Sequence, residues 1–252
     1  MIKVFLAIAL VSVSAMADFF SKKDLNIALG AQVNSLLYKR GIITYGGHQI
    51  TPILSVTLFN PNLLLAGSAL YYKHALSEKF FLRTRINTNS TLDRPLYYTD
   101  EREGERVQRD KTSELDFYFE YINDNTTYMR LQSSTDLVAN NGQYFELYSH
   151  LPVFNFSTGL NKESLFLLGA YASIGYGDLK HNEYLYGDGA SGWSLNNYEV
   201  GLTVRSPKVI DIFWPTFKLS RFEILGKGNR NASFVEEKHG WAVELLAAFR
   251  VY

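Results

Sequence analysis

The stretch "LDFYFEY", Leu115 to Tyr121, decides the fold. In an extended strand successive side chains point to opposite faces. Leu115, Phe117, Phe119 and Tyr121 then share one face, with Asp116, Tyr118 and Glu120 on the other. The preceding segment "FFLRTRI" sets Phe80, Leu82, Thr84 and Ile86 against Phe81, Arg83 and Arg85, and Arg130 follows on the next segment. In a soluble sandwich the apolar face meets a second sheet and the charged face meets water. In a membrane barrel the apolar face meets lipid, and the charged face fills a narrow lumen where each charge needs a partner. Opposite charges on neighbouring strands favour the barrel.

The alternation recurs. "YEVGLTVR" sets Tyr198, Val200, Leu202 and Val204 against Glu199, Gly201, Thr203 and Arg205; "LFLLGAYASIGY" aligns Phe166, Leu168, Ala170, Ala172, Ile174 and Tyr176. The closing "WAVELLAAFRVY" aligns Trp241, Val243, Leu245, Ala247, Phe249 and Val251. Eleven such segments can be marked: 24–34, 48–59, 62–74, 79–88, 113–122, 126–137, 143–154, 164–176, 195–205, 212–224 and 240–252. Single-chain bacterial barrels have even strand numbers. One of the eleven is therefore missed or miscut, and the expected fold is all-β: an antiparallel transmembrane barrel of twelve strands, or else ten, with no transmembrane helix.

The first 17 residues, "MIKVFLAIALVSVSAMA", carry Lys3, an apolar run and an Ala-x-Ala site. They read as a cleaved Sec signal peptide, leaving 18–252 as the barrel. The longest later apolar run, "LLLAGSALYY", has ten residues, too few for a helical span. Without cysteine, disulfides and thiolate metal sites are excluded. Basic and acidic residues balance at 25 each, so nothing recommends nucleic acid. Tyr and Phe, 17 of each, are abundant. The expected location is the outer membrane of a Gram-negative bacterium. The expected partners are its lipid, lipopolysaccharide and the barrel-assembly machinery.

Connections divide into short ones, near Ser77 and at 123–125, 158–162 and 206–211, and long ones at 89–112, 177–194 and 225–239. The two sets are expected on opposite sides, with "VANNG" at 138–142 as a short external loop. The expected lumen charges are Arg83, Arg85, Asp116, Glu120, Arg130, Glu146, His150, Glu199, Arg205, Lys218 and Glu244. Expected interfacial aromatics are Tyr71, Tyr72, Tyr121, Tyr128, Tyr176, Trp193, Tyr198, Trp214 and Trp241. The assembly strand is expected to present Trp241, Val243, Leu245, Phe249, Val251 and Tyr252.

No catalytic or cofactor motif stands out. Ser149 and His150 are adjacent in "YSHL" and point to opposite faces of a strand. Glu146 and His150 share a face but stand about 13 Å apart along it. "YGDGASGW" around Asp188 lacks the spaced acids of a calcium loop. "DEREGERVQRDK", with Arg102, Arg106, Arg109 and Lys111, reads as a solvated loop rather than a lipopolysaccharide contact.

The order "LNIALGAQVNSLLYKRG", "YGGHQITPIL", "NLLLAGSALYY", "YASIGYGD" and "NEYLYGDGASGW" resembles the MipA/OmpV family of outer-membrane proteins. The best pieces are Gly30 to Val33, Pro52, and Tyr184 to Gly187. Departures are the single Gly67 in the third segment, the terminal Tyr252 where the family commonly has Phe, and Glu244 and Arg250 on the face of Tyr252. The resemblance implies a non-enzymatic scaffold without cofactor, linking the membrane to a lytic transglycosylase or peptidoglycan synthase. The alternative is a narrow pore for small solutes; a lipid-modifying enzyme ranks below both.

Overall fold

The structure, a computed structural model, describes residues 25–35, 37–45, 49–60, 62–66, 69–87, 112–123, 127–157, 165–205, 213–235 and 237–250. The signal segment 1–17, most of loop 89–112, Val251 and Tyr252 lie outside these residues, as do the side chains of Trp214 and Phe249.

The strands are β1 (Leu25–Asn34), β2 (Leu37–Lys39), β3 (Ile42–Tyr45), β4 (Gln49–Asn60), β5 (Leu63–Ala66), β6 (Ala69–Ala75) and β7 (Phe80–Asn87). They continue with β8 (Glu114–Asn123), β9 (Thr127–Asp136), β10 (Gln143–Ser157), β11 (Leu165–Gly177), β12 (Ser194–Arg205), β13 (Phe213–Ile224) and β14 (His239–Arg250). Two short helices, α1 (Leu179–Tyr186) and α2 (Lys227–Arg230), fall in the long connections.

β1 pairs with both β4 and β14, so the antiparallel sheet from β4 to β14 closes on itself through β1. Closure leaves no open sheet edge, the condition for crossing lipid with strands. β2 and β3 stand outside this ring as a separate hairpin. The ring has twelve strands. The missing one lay inside the segment read as 62–74: Leu63 pairs with Tyr72 and Ala66 with Ala69, so the chain reverses and makes β5 and β6. The run is apolar but for Gly67-Ser68, a two-residue hairpin signal between its halves that is easily passed over.

Alternation sets what each face meets. Asp116 and Glu120 are fully buried, whereas Phe117 and Phe119 are 54% and 44% exposed. Leu82, Leu131, Leu147, Leu202 and Leu245 continue the outward apolar face on neighbouring strands. Inward glycines leave room for rings lying across the wall: a Cβ on Gly201 would stand 2.6 Å from Tyr171, and one on Gly240 2.5 Å from Phe222. Pro152, which cannot donate to the ladder, sits at a β-bulge between β10 and β11. Among the described residues no helix is long and apolar enough to cross a membrane.

Leu25 and Arg250 lie at one end of the barrel with the strand ends Asn123, Ser157 and Arg205; we call this end the base. The opposite end, the mouth, carries the β2–β3 hairpin, the 137–142 turn, α1 and α2. Asp136 forms the 137–142 turn by accepting from the backbone N–H of Val138 and Ala139 at 2.7 and 3.0 Å.

Candidate functional site

Among the described residues the β2–β3 hairpin and α1 pack together at the mouth. Lys39 pairs with Ile42, leaving Arg40 and Gly41 as a two-residue turn with φ of 52° and 84°. Positive φ at both positions gives the tight hairpin whose twist matches its strands. Gly41 is required here, since a Cβ would also stand 2.9 Å from Asn197 Cβ. The hairpin tip is buried. Arg40 Nη1 meets Glu114 at 2.8 Å, its guanidinium lies 4.1 Å from the Tyr144 ring centroid, and its carbonyl accepts from Tyr186 Oη at 2.8 Å. Tyr38 stacks on Phe222 and donates to Ser220 Oγ at 2.9 Å.

Helix α1 lies over the hairpin. Asp178 caps it by accepting from the His181 N–H at 2.8 Å, and Gly187 ends it with φ of 90°. Its buried residues are His181, Asn182, Leu185 and Tyr186; Asn182 Nδ2 donates to the Ser191 and Gly192 carbonyls at 2.8 and 3.0 Å. Leu185 and Tyr186 join Ile42, Ile224 and Ala232 in a small apolar core. Burial pushes the Tyr186 phenol well above its ordinary range. Burial also opposes the Arg40 charge, yet Glu114 holds the guanidinium protonated.

Below the mouth the lumen is filled by paired charges and tyrosines. Arg85 bonds Asp116, which also accepts from Tyr118 Oη at 3.2 Å. Arg83 meets Glu120 at 2.9 Å, and Tyr128 Oη donates to Glu120 at 2.6 Å. Arg130 meets Glu146 at 2.5 Å and lies between the rings of Tyr118 and Tyr148, 5.4 and 5.1 Å away. Lys218 meets Glu199 at 2.8 Å, and Tyr171 Oη donates to Glu199 at 2.5 Å. Glu244 is paired in register with Lys218 across β13 and β14. His150 is buried and stands apart from Glu146; its Nε2 lies 2.9 Å from Thr203 Oγ1 and 3.0 Å from Arg205 Nη2. An arginine only donates, so Nε2 accepts.

Two cavities lie among these side chains. One of about 380 Å³ lies beneath the hairpin, among Tyr38, Arg40, Tyr144, Glu146 and Lys218. The other, about 620 Å³, lies toward the base among Arg83, Tyr128, Tyr148, His150 and Arg205. Arg130 lines both.

The outer aromatics need two corrections. Tyr128 faces the lumen and bonds Glu120. Tyr71 also faces inward, in register with Arg85, whose guanidinium is 5.9 Å from its ring. Both lie near strand ends, but residue parity rather than end position sets the face. Outward near the mouth, Trp193 stacks on Tyr176 at 5.5 Å, and Arg221 lies over Trp241 at 5.9 Å. Tyr198 also faces outward, donating to Glu223 at 2.8 Å. Toward the base Tyr121 packs on Phe80, and Tyr72 is half exposed farther up the wall. In β14, Trp241, Val243 and Leu245 are exposed. The Tyr38–Arg40–Glu114–Tyr186 constellation carries no sequence motif. Its nearest signal is Arg40-Gly41 between two short runs of strand-forming residues.

A closed antiparallel barrel, apolar outside and hydrogen-bonded charge inside, defines a membrane-spanning β-barrel of the outer-membrane type. No family model and no curated protein matches the chain. Among solved structures it is similar to a bacterial polysaccharide outer membrane secretin, with 9% identity, 90% of this chain and 98% of that one covered, and a TM-score of 0.43. The NanC porin follows at 9% identity, 89% and 98% coverage and a TM-score of 0.41. The outer membrane channel DcaP of Acinetobacter baumannii shows 10% identity, 92% and 99% coverage and a TM-score of 0.35.

Proposed function

We propose that this chain is a sealed, non-enzymatic barrel of the Gram-negative outer membrane that holds a murein-remodelling enzyme at the membrane. The observation that carries the sealed reading is the packed mouth, where the Arg40 hairpin and α1 share one buried core. In this reading the short turns at the base face the periplasm and the α1 and α2 connections face outward. Residues 1–17 direct export, lipid and lipopolysaccharide surround the barrel, and β14 is the strand presented to the assembly machinery. The resemblance to the MipA/OmpV family supports a lytic transglycosylase or peptidoglycan synthase as the partner. The non-enzymatic reading draws on Ser149 facing away from His150, whose Nε2 is already engaged by Thr203 and Arg205.

A tagged barrel crosslinked in cell envelopes and then purified tests the scaffold. It should bring down a murein enzyme that an unrelated tagged barrel does not. Recovery of lipid and assembly factors alone would end the scaffold role. The second reading, a narrow pore, is favoured by the two lumen cavities. Bilayer recordings separate the two.

A further inference from the structure

We infer that the base cavity is a binding site for small organic oxyanions, carboxylates or phosphates, entering from the end of the barrel that carries the chain termini. The lining is cationic on one side of each ion pair. Arg83, Arg130 and Arg205 line the cavity, and no carboxylate does. Arg83 keeps 28% of its side chain exposed while its partner Glu120 keeps none, so the pair shows its positive half to the space. Arg130 likewise remains 26% exposed against 18% for Glu146.

Arg205 goes further. Its contacts among the described residues are with the His150 ring, at 3.0 Å to Nε2, and no carboxylate neutralises it. Every other inward arginine described above has a carboxylate at hydrogen-bond distance. Arg205 is exposed at the base end of β12, and its guanidinium fork suits two carboxylate or phosphate oxygens. Tyr128 and Tyr148, whose ring centroids are 5.7 Å apart, line the same space, and aromatic walls beside arginines suit a sugar acid or sugar phosphate. A volume of about 620 Å³ lies within the range of small-molecule sites. The site does not depend on whether the barrel holds an envelope enzyme.

Calorimetry on the barrel in neutral detergent, at low salt, tests this with glucuronate, glucose 6-phosphate and glucose. Glucuronate and glucose 6-phosphate should bind and compete with each other, while glucose does not. Arg205→Gln should weaken both at least tenfold, Arg205→Lys should weaken them less, and Arg221→Gln on the outer wall should leave them unchanged. Each variant's heat-shifted gel mobility reports that it is folded. Binding of glucose equal to that of glucuronate, no binding of either anion, or unchanged affinity in folded Arg205→Gln would each overturn the assignment.

Discussion

At the residue scale, the two ends of one ion pair are unequal. Asp116 is fully buried, while Arg85 retains 20% of its side chain exposed. Removing the arginine strands a carboxylate away from water, which costs about 3–5 kcal/mol. Removing the aspartate leaves a guanidinium that can turn toward the lumen water, so the loss is closer to about 1–3 kcal/mol. Arg85→Met should therefore lower the unfolding temperature of the detergent-folded barrel more than Asp116→Asn. The double variant should recover much of the Arg85→Met loss. Thermal unfolding followed by gel mobility checks the order; an equal or reversed ranking contradicts the burial argument. These charges were legible in the sequence because parity alone places Arg83, Arg85, Asp116 and Glu120 on one face. Tyr71 and Tyr128 lie near strand ends, which suggests an interface, but parity turns both toward the lumen.

At the element scale, the barrel strands announce themselves and the mouth does not. Long alternation marks β8, β11 and β14, whereas β5 and β6 share a run that only Gly67-Ser68, a two-residue hairpin signal, divides. Helix α1 buries only two apolar side chains, too few for a helical stripe to show. The hairpin's importance lies in contacts to residues far along the chain, such as Arg40 to Glu114 and Tyr186, which no local pattern encodes. The mouth should be sensitive to alkali. Tyr186 has its folded pKa raised above the ordinary value near 10, chiefly by burial. Its contribution is therefore complete below about pH 10 and is lost as the pH rises toward the folded value. Tyr186→Phe removes the hydrogen bond to Arg40 but also removes this ionisation. Its stability should fall less steeply than that of the native chain above about pH 10. Unfolding at stepped alkaline pH measures both slopes; identical slopes would mean that Tyr186 ionises freely.

At the scale of the whole molecule, the fold turns a soluble-looking composition inside out. The chain has a mean hydropathy of −0.10, yet closure gathers its charges within and leaves Phe117, Phe119 and Leu131 outside. Phe119→Arg puts a charge on the lipid-facing wall, at about 2–4 kcal/mol near the midplane. It should impair insertion into lipid vesicles, with no rescue from any lumen substitution; normal insertion would mean the outer face does not meet lipid. The central claim is that the lumen is sealed at its mouth by the Arg40 hairpin and α1. Single-channel recording of the native barrel in a planar lipid bilayer tests it most directly. The sealed account predicts insertion without steady unitary conductance at either polarity, and a reproducible unitary current from the native chain would contradict it.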